Sequence, residues 1–298
     1  MRDTLTSPEI AMSFATHFLA GLGLLAAASS ALAQPLTLDT YNPREAAVFP
    51  VSSTLISGEK DAILVDAQFS NSEAKALIER IRASGKRLTT IFISHGDPDF
   101  YFGLDELTRA YPEAKVLATP ATVAYIEKTR APKLAYWGPI LKDSAPARTL
   151  VPEVLQGNLL ELEGQRIEVV GHDPQHTSLW IPSIKAVVGG VLTSANIHLW
   201  VADAQSVEAR QRWLKSLDQL EALQPTTLIP GHYLGEPAMN LADLHFTRDY
   251  LLALEQELPK ARDSHALIAA MKARYPHLQD DSSLELSAKV LKGEMQWP

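Results

Sequence analysis

Short apolar runs in this chain alternate with segments of helical periodicity. Leu88–Ile93 is a continuous aliphatic and β-branched run, typical of a strand buried on both faces. An earlier run, Ala62–Val65, predicts a second strand. Between them, Ser70 and Glu73 have the spacing of a capping box that begins an amphipathic helix ending near Gly85. This strand-helix-strand order predicts a parallel β unit inside an α/β fold.

The remaining elements follow from the same two periodicities. Further strands are expected at Ala46–Ile56, Lys115–Ala118, Leu159–Leu162, Ile167–Val170, Ser178–Ile181 and Ala186–Val188. Helices are expected at Leu104–Tyr111, at Pro120–Thr129, and along stripes through Trp213, Leu217 and Leu220 and through Leu251, Leu254 and Leu258. Between Pro132 and Pro152 the periodicity dissolves, which predicts a loop covering a site. We expect one domain over residues 34–298, with sheets sandwiched between outer helices.

Composition narrows the range of partners. The chain has 298 residues, of which 46% are hydrophobic and 21% charged, as in a globular protein. It has no cysteine, so a disulfide or a thiolate metal site is excluded. The formal net charge is -8 and no basic stripe is present, which argues against nucleic-acid binding. A small neutral or cationic molecule is the expected partner, and the oligomeric state is left open.

The N-terminus resembles a secretory signal. Residues 12–30 are almost wholly apolar and small, and Ala31-Leu32-Ala33 has the small-x-small pattern of a cleavage site. We therefore interpret residues 1–33 as a signal peptide cleaved before Gln34, which predicts a periplasmic or secreted protein without a stable membrane anchor. The alternatives are an uncleaved anchor and translation from Met12.

Several side chains that can bind metal follow predicted strands. His95, Asp97 and Asp99 come after one strand, and His176 and His232 lie in two later turns. Imidazole and carboxylate groups are natural ligands of zinc and iron. Each residue alone is as well explained by helix capping or by a bond to the backbone. Their occurrence together favours a shared metal site at the ends of the strands, where α/β folds place their ligands.

Four motifs in one order carry a family resemblance. They are SHGDPDFYFG from Ser94, PQHT around His176, GGV from Gly189 and PGH ending at His232. In these motifs the chain resembles the metallo-β-lactamase fold superfamily, from about Ala46 to His232. The resemblance implies an α/β, four-layer αββα sandwich.

This chain departs from the superfamily pattern at three positions. Asp97 stands where the family has its second histidine, Phe100 replaces a histidine, and Val191 replaces the bridging aspartate. The resemblance then implies a first metal site of His95, Asp97 and His176, and a second site reduced to Asp99 and His232. We therefore expect one divalent metal ion at the first site, with Zn²⁺ favoured and Fe²⁺ as the alternative.

The leading hypothesis is an exported mononuclear metallo-hydrolase. A metal-activated water would attack an ester, lactone or amide carbonyl of a small-molecule substrate, with Asp99 as the catalytic proton acceptor. A binding protein without turnover, on the same fold, is the alternative from another class, and a mononuclear iron oxygenase is the third possibility. Residues interpreted as outer partners of the metal ligands or as substrate contacts are His172, His198, Tyr101, Tyr233, Trp137 and Trp180.

Overall fold

A computed structural model describes residues 34–297 of the chain. The predicted signal peptide, residues 1–33, lies outside the described residues. The described residues belong to one compact unit. Among their helices, none has both the length and the apolar character needed to cross a membrane.

Two sheets form the centre of the fold. The first contains β1 (Thr37–Tyr41), β2 (Ser53–Ser57), β3 (Asp61–Val65), β4 (Arg87–Ile93), β5 (Lys115–Ala118) and β6 (Glu153–Val154), in that order. The second contains β7 (Leu159–Leu162), β8 (Gln165–Asp173), β9 (His176–Ile181), β10 (Ala186–Val188) and β12 (Thr227–Leu228), ordered β12-β10-β9-β8-β7. A small parallel pair joins β11 (Ser194–Ala195) to β13 (His232–Tyr233). From β3 to β6 the neighbouring strands of the first sheet run parallel, so their carboxyl ends share one edge.

Helices cover the outer face of each sheet. They are α1 (Asn71–Ser84), α2 (Pro98–Tyr101), α3 (Leu104–Ala110), α4 (Pro120–Leu141), α5 (Val207–Ala222), α6 (Leu241–Glu257), α7 (Ser264–Arg274) and α8 (Asp281–Leu291). The predicted capping box at Ser70 and Glu73 begins α1, and Gly85 ends it with a φ of 67°. Short 3₁₀ turns occupy Arg44–Ala46, Lys142–Ser144 and Pro182–Ile184.

The side chains of β3 show how the layers are held together. Ile63 and Val65 pack into the core between the two sheets, whereas Ala62 and Leu64 pack into the core beneath α1. Alternation along a strand sends successive side chains to opposite faces, so this strand is buried on both. A third core joins the second sheet to α5–α8. The predicted four-layer αββα architecture is therefore confirmed.

Two predicted elements are wrong in their bounds. The strand expected from Ala46 begins at Ser53, because the preceding segment contains a 3₁₀ turn and Pro50. The loop expected after Pro132 is instead the second half of α4, which passes through Pro132 and Pro139. Each proline removes one helical hydrogen bond. Apolar side chains of this half pack against the core beneath α1 and offset that loss, namely Leu134, Trp137 and Leu141.

Candidate functional site

The carboxyl ends of β3 and β4 form the floor of the site. Asp66 follows β3, is fully buried, and accepts hydrogen bonds from the backbone N–H and the hydroxyl of Ser94 at 2.8 and 2.7 Å. The Ser94 hydroxyl in turn accepts from the backbone N–H of Gly190 at 2.8 Å. Burial raises the pKa of Asp66 to about 7. This network fixes the backbone at the first residue of the SHGDPDFYFG motif.

Glycines bring the later motifs against one another. Gly190 has a φ of 86°, and a Cβ there would lie 2.2 Å from the carbonyl oxygen of Thr177. A Cβ on Gly231 would lie 1.9 Å from the carbonyl oxygen of Gly190. Only glycine permits backbones to approach this closely. The GGV and PGH motifs are thus required to bring Val191 and His232 to the strand ends.

His95 and Asp97 form a buried pair directly after β4. His95 is 5% exposed, with Nδ1 2.9 Å from the carbonyl oxygen of Gln175 and Nε2 3.0 Å from Oδ2 of Asp97. A carbonyl oxygen only accepts hydrogen bonds, so Nδ1 is the donor and Nε2 faces the Asp97 carboxylate. Burial alone lowers the pKa of His95, but the Asp97 charge and the hydrogen bonds to Asp97 and Gln175 together outweigh burial and raise it above its ordinary value.

Lys133 of α4 makes an ion pair with the other oxygen of the same carboxylate. Its Nζ donates to Oδ1 of Asp97 and lies 3.3 Å from both the carbonyl oxygen of Gly96 and the hydroxyl of Tyr125. Burial alone raises the pKa of Asp97, but the neighbouring positive charges of His95 and Lys133 hold it well below its ordinary value. We call His95, Asp97 and Lys133 the lysine cluster.

Asp99 and His232 form the second pair, which joins α2 to β13. Oδ2 of Asp99 lies 2.7 Å from Nε2 of His232, and their side chains are 8% and 16% exposed. Phe100 stands between this pair and the lysine cluster, with its ring edge-on to both His232 and His95 at centroid distances of 5.5 and 5.2 Å. An apolar ring therefore occupies the space between the lysine cluster and the Asp99–His232 pair.

His176 begins β9 at the tip of a hairpin. Its Nδ1 lies 3.1 Å from Oδ2 of Asp173, and its ring faces His95 at a centroid distance of 5.0 Å. The bond from His176 lowers the pKa of Asp173 to about 2. The structure thus brings His176 near the lysine cluster, and the Asp173 carboxylate holds its ring in place.

The donor set can be compared with the requirements of a metal ion. Within residues 34–297, no three His, Asp or Glu side chains assemble into a group that could hold one. In the lysine cluster, two side chains that could bind a metal, His95 and Asp97, lie together. The ammonium of Lys133 occupies the remaining carboxylate oxygen. His176 has its Nδ1 bonded to Asp173, which leaves only Nε2 for a metal. The second pair has two donors, and its neighbours Phe100 and Val191 have none. This arrangement does not fit the three-ligand site that the resemblance implies.

A large cavity opens beside both groups. Its volume is about 720 Å³, within the range of small-molecule sites, and the second pair, Asp97 and Lys133 lie on its wall. The aromatic side chains around it are Phe49, Phe100, Tyr125, Tyr136, Trp137, Trp200, Trp213, Trp297. A smaller cavity of about 200 Å³ contacts His95 and His176. The predicted wall residue Trp137 therefore lines the main cavity.

The other predicted contact residues lie elsewhere. His198 is buried, with Nδ1 3.0 Å from the hydroxyl of Tyr250. Tyr101, Trp180 and Tyr233 are buried in the hydrophobic interior, and none of them lines either cavity. His172 is exposed on β8, outside both cavities. None of these five side chains therefore lines the candidate site.

Sequence reasoning missed several residues that shape the cavity. Because the sequence predicts a helix that ends before Pro132, Lys133 is not expected at the site. Asp203 accepts hydrogen bonds from the indole N–H groups of Trp200 and Trp297 at 2.5 and 2.8 Å. Burial, together with the nearby Asp97 charge, raises the pKa of Asp203. Trp297 lies 94 positions from Asp203, so a periodicity argument has no signal for this contact.

A family model supports the assignment made from the motifs. The model of the metallo-beta-lactamase superfamily matches residues 46–232, which is more than half of the chain. The chain therefore belongs to the metallo-beta-lactamase superfamily, whose fold is that of metal-dependent hydrolases.

Individual relatives are distant. The curated "Uncharacterized protein YobT" of Bacillus subtilis (strain 168) is 35% identical over 71 residues, which are 24% of this chain and 30% of that protein. The match thus spans less than a third of that relative's length. Among solved structures, the metallo-beta-lactamase IND-7 is 17% identical with a TM-score of 0.52, over 74% of this chain and 94% of that one. VMB-1 is 18% identical with a TM-score of 0.55, over 74% and 98%. At these identities the structural likeness shows the fold alone.

Proposed function

We propose that this chain binds a small, largely apolar molecule, neutral or positively charged, in the cavity of about 720 Å³. The observation that carries the proposal is the placement of tryptophan. Four of the five tryptophans in the chain line this cavity, namely Trp137, Trp200, Trp213 and Trp297. Aromatic walls with a few polar groups are typical of small-molecule sites.

The charges on the cavity wall favour a positively charged ligand over an anion. Four aspartates line the cavity and only two lysines, one of which is paired with Asp97 in the lysine cluster. Asp203 is held by two indole N–H groups, and no cation partner occurs among its described hydrogen bonds and ion pairs. A carboxylate without a cation partner at the cavity wall repels an anionic ligand and attracts a cationic one. Aromatic faces around it also favour a cation.

The test uses three probes of equal ring size and different charge. They are naphthylmethylammonium, naphthylmethanol and naphthoate, and binding is followed by the intrinsic tryptophan fluorescence of protein purified from Gln34 onward. We expect the cation and the neutral probe to bind, and the anion to bind about tenfold more weakly or worse. Preferred binding of naphthoate, or no binding of any probe, would refute the proposal.

Two variants at one position localise the binding. Trp297→Ala removes a cavity wall near the end of the described chain, whereas Trp297→Phe keeps an aromatic ring and loses only the N–H bond to Asp203. We expect the alanine variant to weaken binding several-fold and the phenylalanine variant to retain most of it. Equal binding by all three proteins would place the ligand elsewhere.

Metal-dependent hydrolysis of an ester, lactone or amide is a second candidate. One specific observation favours it: Nδ1 of His95 and Nδ1 of His176 are held by a backbone carbonyl and by a carboxylate. Such outer contacts commonly orient histidines that bind metal. Elemental analysis of protein purified without chelator, with assays on esters and lactones, tests this candidate. About one zinc per chain together with turnover would favour hydrolysis over simple binding, and one iron would favour an oxygenase.

A further inference from the structure

We propose that the ammonium of Lys133 takes the place of the first-site metal ion, so that this member of the superfamily carries the cation of its site on its own chain. The inference is independent of the ligand proposed above.

The ammonium is fully matched by its surroundings. It has three donors, and the structure offers three acceptors: Oδ1 of Asp97, the carbonyl oxygen of Gly96 and the hydroxyl of Tyr125. The Tyr125 ring also lies below it, with its centroid 4.4 Å from Nζ. The Lys133 side chain is 19% exposed, so most of it is inside the protein. This is a built cation site rather than a chance surface contact.

The carboxylate in this site needs a cation. The side chain of Asp97 is 22% exposed and makes its bonds to His95 and Lys133. Burying a charge away from water is strongly unfavourable unless an opposite charge accompanies it. In a metal site the ion would supply that partner. Here Lys133 of α4 supplies it at Oδ1, beside the bond between His95 and Oδ2.

The same contact opposes a metal ion. A divalent ion bound at Asp97 would either displace the ammonium or lie close to a like charge in a partly dry site. The second pair does not compensate, because Phe100 separates it from the lysine cluster. Phe100, which cannot bind a metal, and Lys133, which repels one, therefore both oppose metal binding at this site.

The experiment compares Lys133→Met with Lys128→Met. Both lysines lie on α4 and line the same cavity, but only Lys133 contacts Asp97. Zinc affinity and stoichiometry are measured by competition with a chromogenic chelator on chelator-stripped protein. We expect Lys133→Met to bind one zinc ion about tenfold more tightly than the parent, or better, and Lys128→Met to match the parent.

Several results would overturn the inference. One is zinc binding by Lys133→Met that is no tighter than by the parent, and another is tight stoichiometric zinc binding by the parent itself. If Lys133→Met does not fold without metal, Lys133→Gln keeps a hydrogen-bond donor for Asp97 without the charge. Recovery of folding by zinc in either variant would support the inference, since a metal would then replace the ammonium. Failure of both variants to fold even with zinc would contradict it.

Discussion

Two buried tyrosines offer a matched test of the structure. Tyr101 is 0% exposed, and its hydroxyl has no hydrogen-bond partner among the described residues. Tyr250 is 1% exposed, and its hydroxyl lies 3.0 Å from Nδ1 of His198. Burial raises the pKa of both side chains, so both are neutral phenols near pH 7. The same substitution, Tyr to Phe, should therefore have opposite effects on the free energy of unfolding.

The expected magnitudes follow from the state of each hydroxyl. A buried polar group without a partner costs about 1–3 kcal/mol. Removing the Tyr101 oxygen relieves that cost and loses some packing, so Tyr101→Phe should raise the free energy of unfolding by about 1 kcal/mol. Tyr250→Phe breaks a hydrogen bond and leaves the His198 nitrogen unpaired. It should lower the free energy of unfolding by about 1–2 kcal/mol.

Urea unfolding at pH 7, followed by tryptophan fluorescence, measures both changes from the transition midpoints. The comparison is valid if the dependence of unfolding free energy on urea is the same in all three proteins. Because Tyr101 lines neither cavity, its variant should also bind the probes like the parent. A loss of more than about 1 kcal/mol in Tyr101→Phe would show that the hydroxyl is bonded, and the reasoning would fail.

Three further predictions concern charge. Asp66→Asn should flatten the pH dependence of stability between about pH 4 and 7, measured by urea unfolding across that range. The folded-state pKa of about 7 lies above the ordinary 3.8, so the folded chain retains a proton that the unfolded chain releases, and parent stability falls as pH rises through this window. An unchanged slope would contradict the assignment. Arg210 is 2% exposed and paired with Glu255, so Arg210→Met should cost roughly 3 kcal/mol in the same assay, whereas no loss would mean that the pair contributes nothing. Val191→Asp adds a third donor beside the second pair and should create a zinc site detectable by chelator competition; affinity equal to the parent's would show that the three donors do not converge.

The central sandwich was predictable because its signals are local. The β4 run and the α1 capping box each depend on side chains a few residues apart, so periodicity and capping chemistry identify them. The second half of α4 was not predictable in this way. Pro132 and Pro139 are strong local signals against a helix, and the packing of Trp137 and its neighbours on the core beneath α1 prevails over them.

In the candidate site, too, the local features were predictable and the tertiary contacts were not. The motifs placed Asp97, Asp99 and His232 at strand ends, and the structure brings them to one cavity. Their actual partners depend on tertiary structure. Lys133 reaches Asp97 from a helix segment that the sequence pattern predicts to be a loop. Identification of Trp297 as a wall residue requires knowing how the C-terminal helices pack. Ligand-capable residue types were therefore predictable, whereas the charges that satisfy them were not.

The ion pair between Lys133 and Asp97 also bears on how the protein matures. A metalloenzyme is complete only after the correct ion has been delivered and the wrong ones have been excluded. A cation that is part of the polypeptide arrives with translation, in a ratio fixed at one per chain. It is not removed by chelators and does not vary with the supply of zinc. On this basis the site reaches its final charge state as soon as α4 docks, without any loading step.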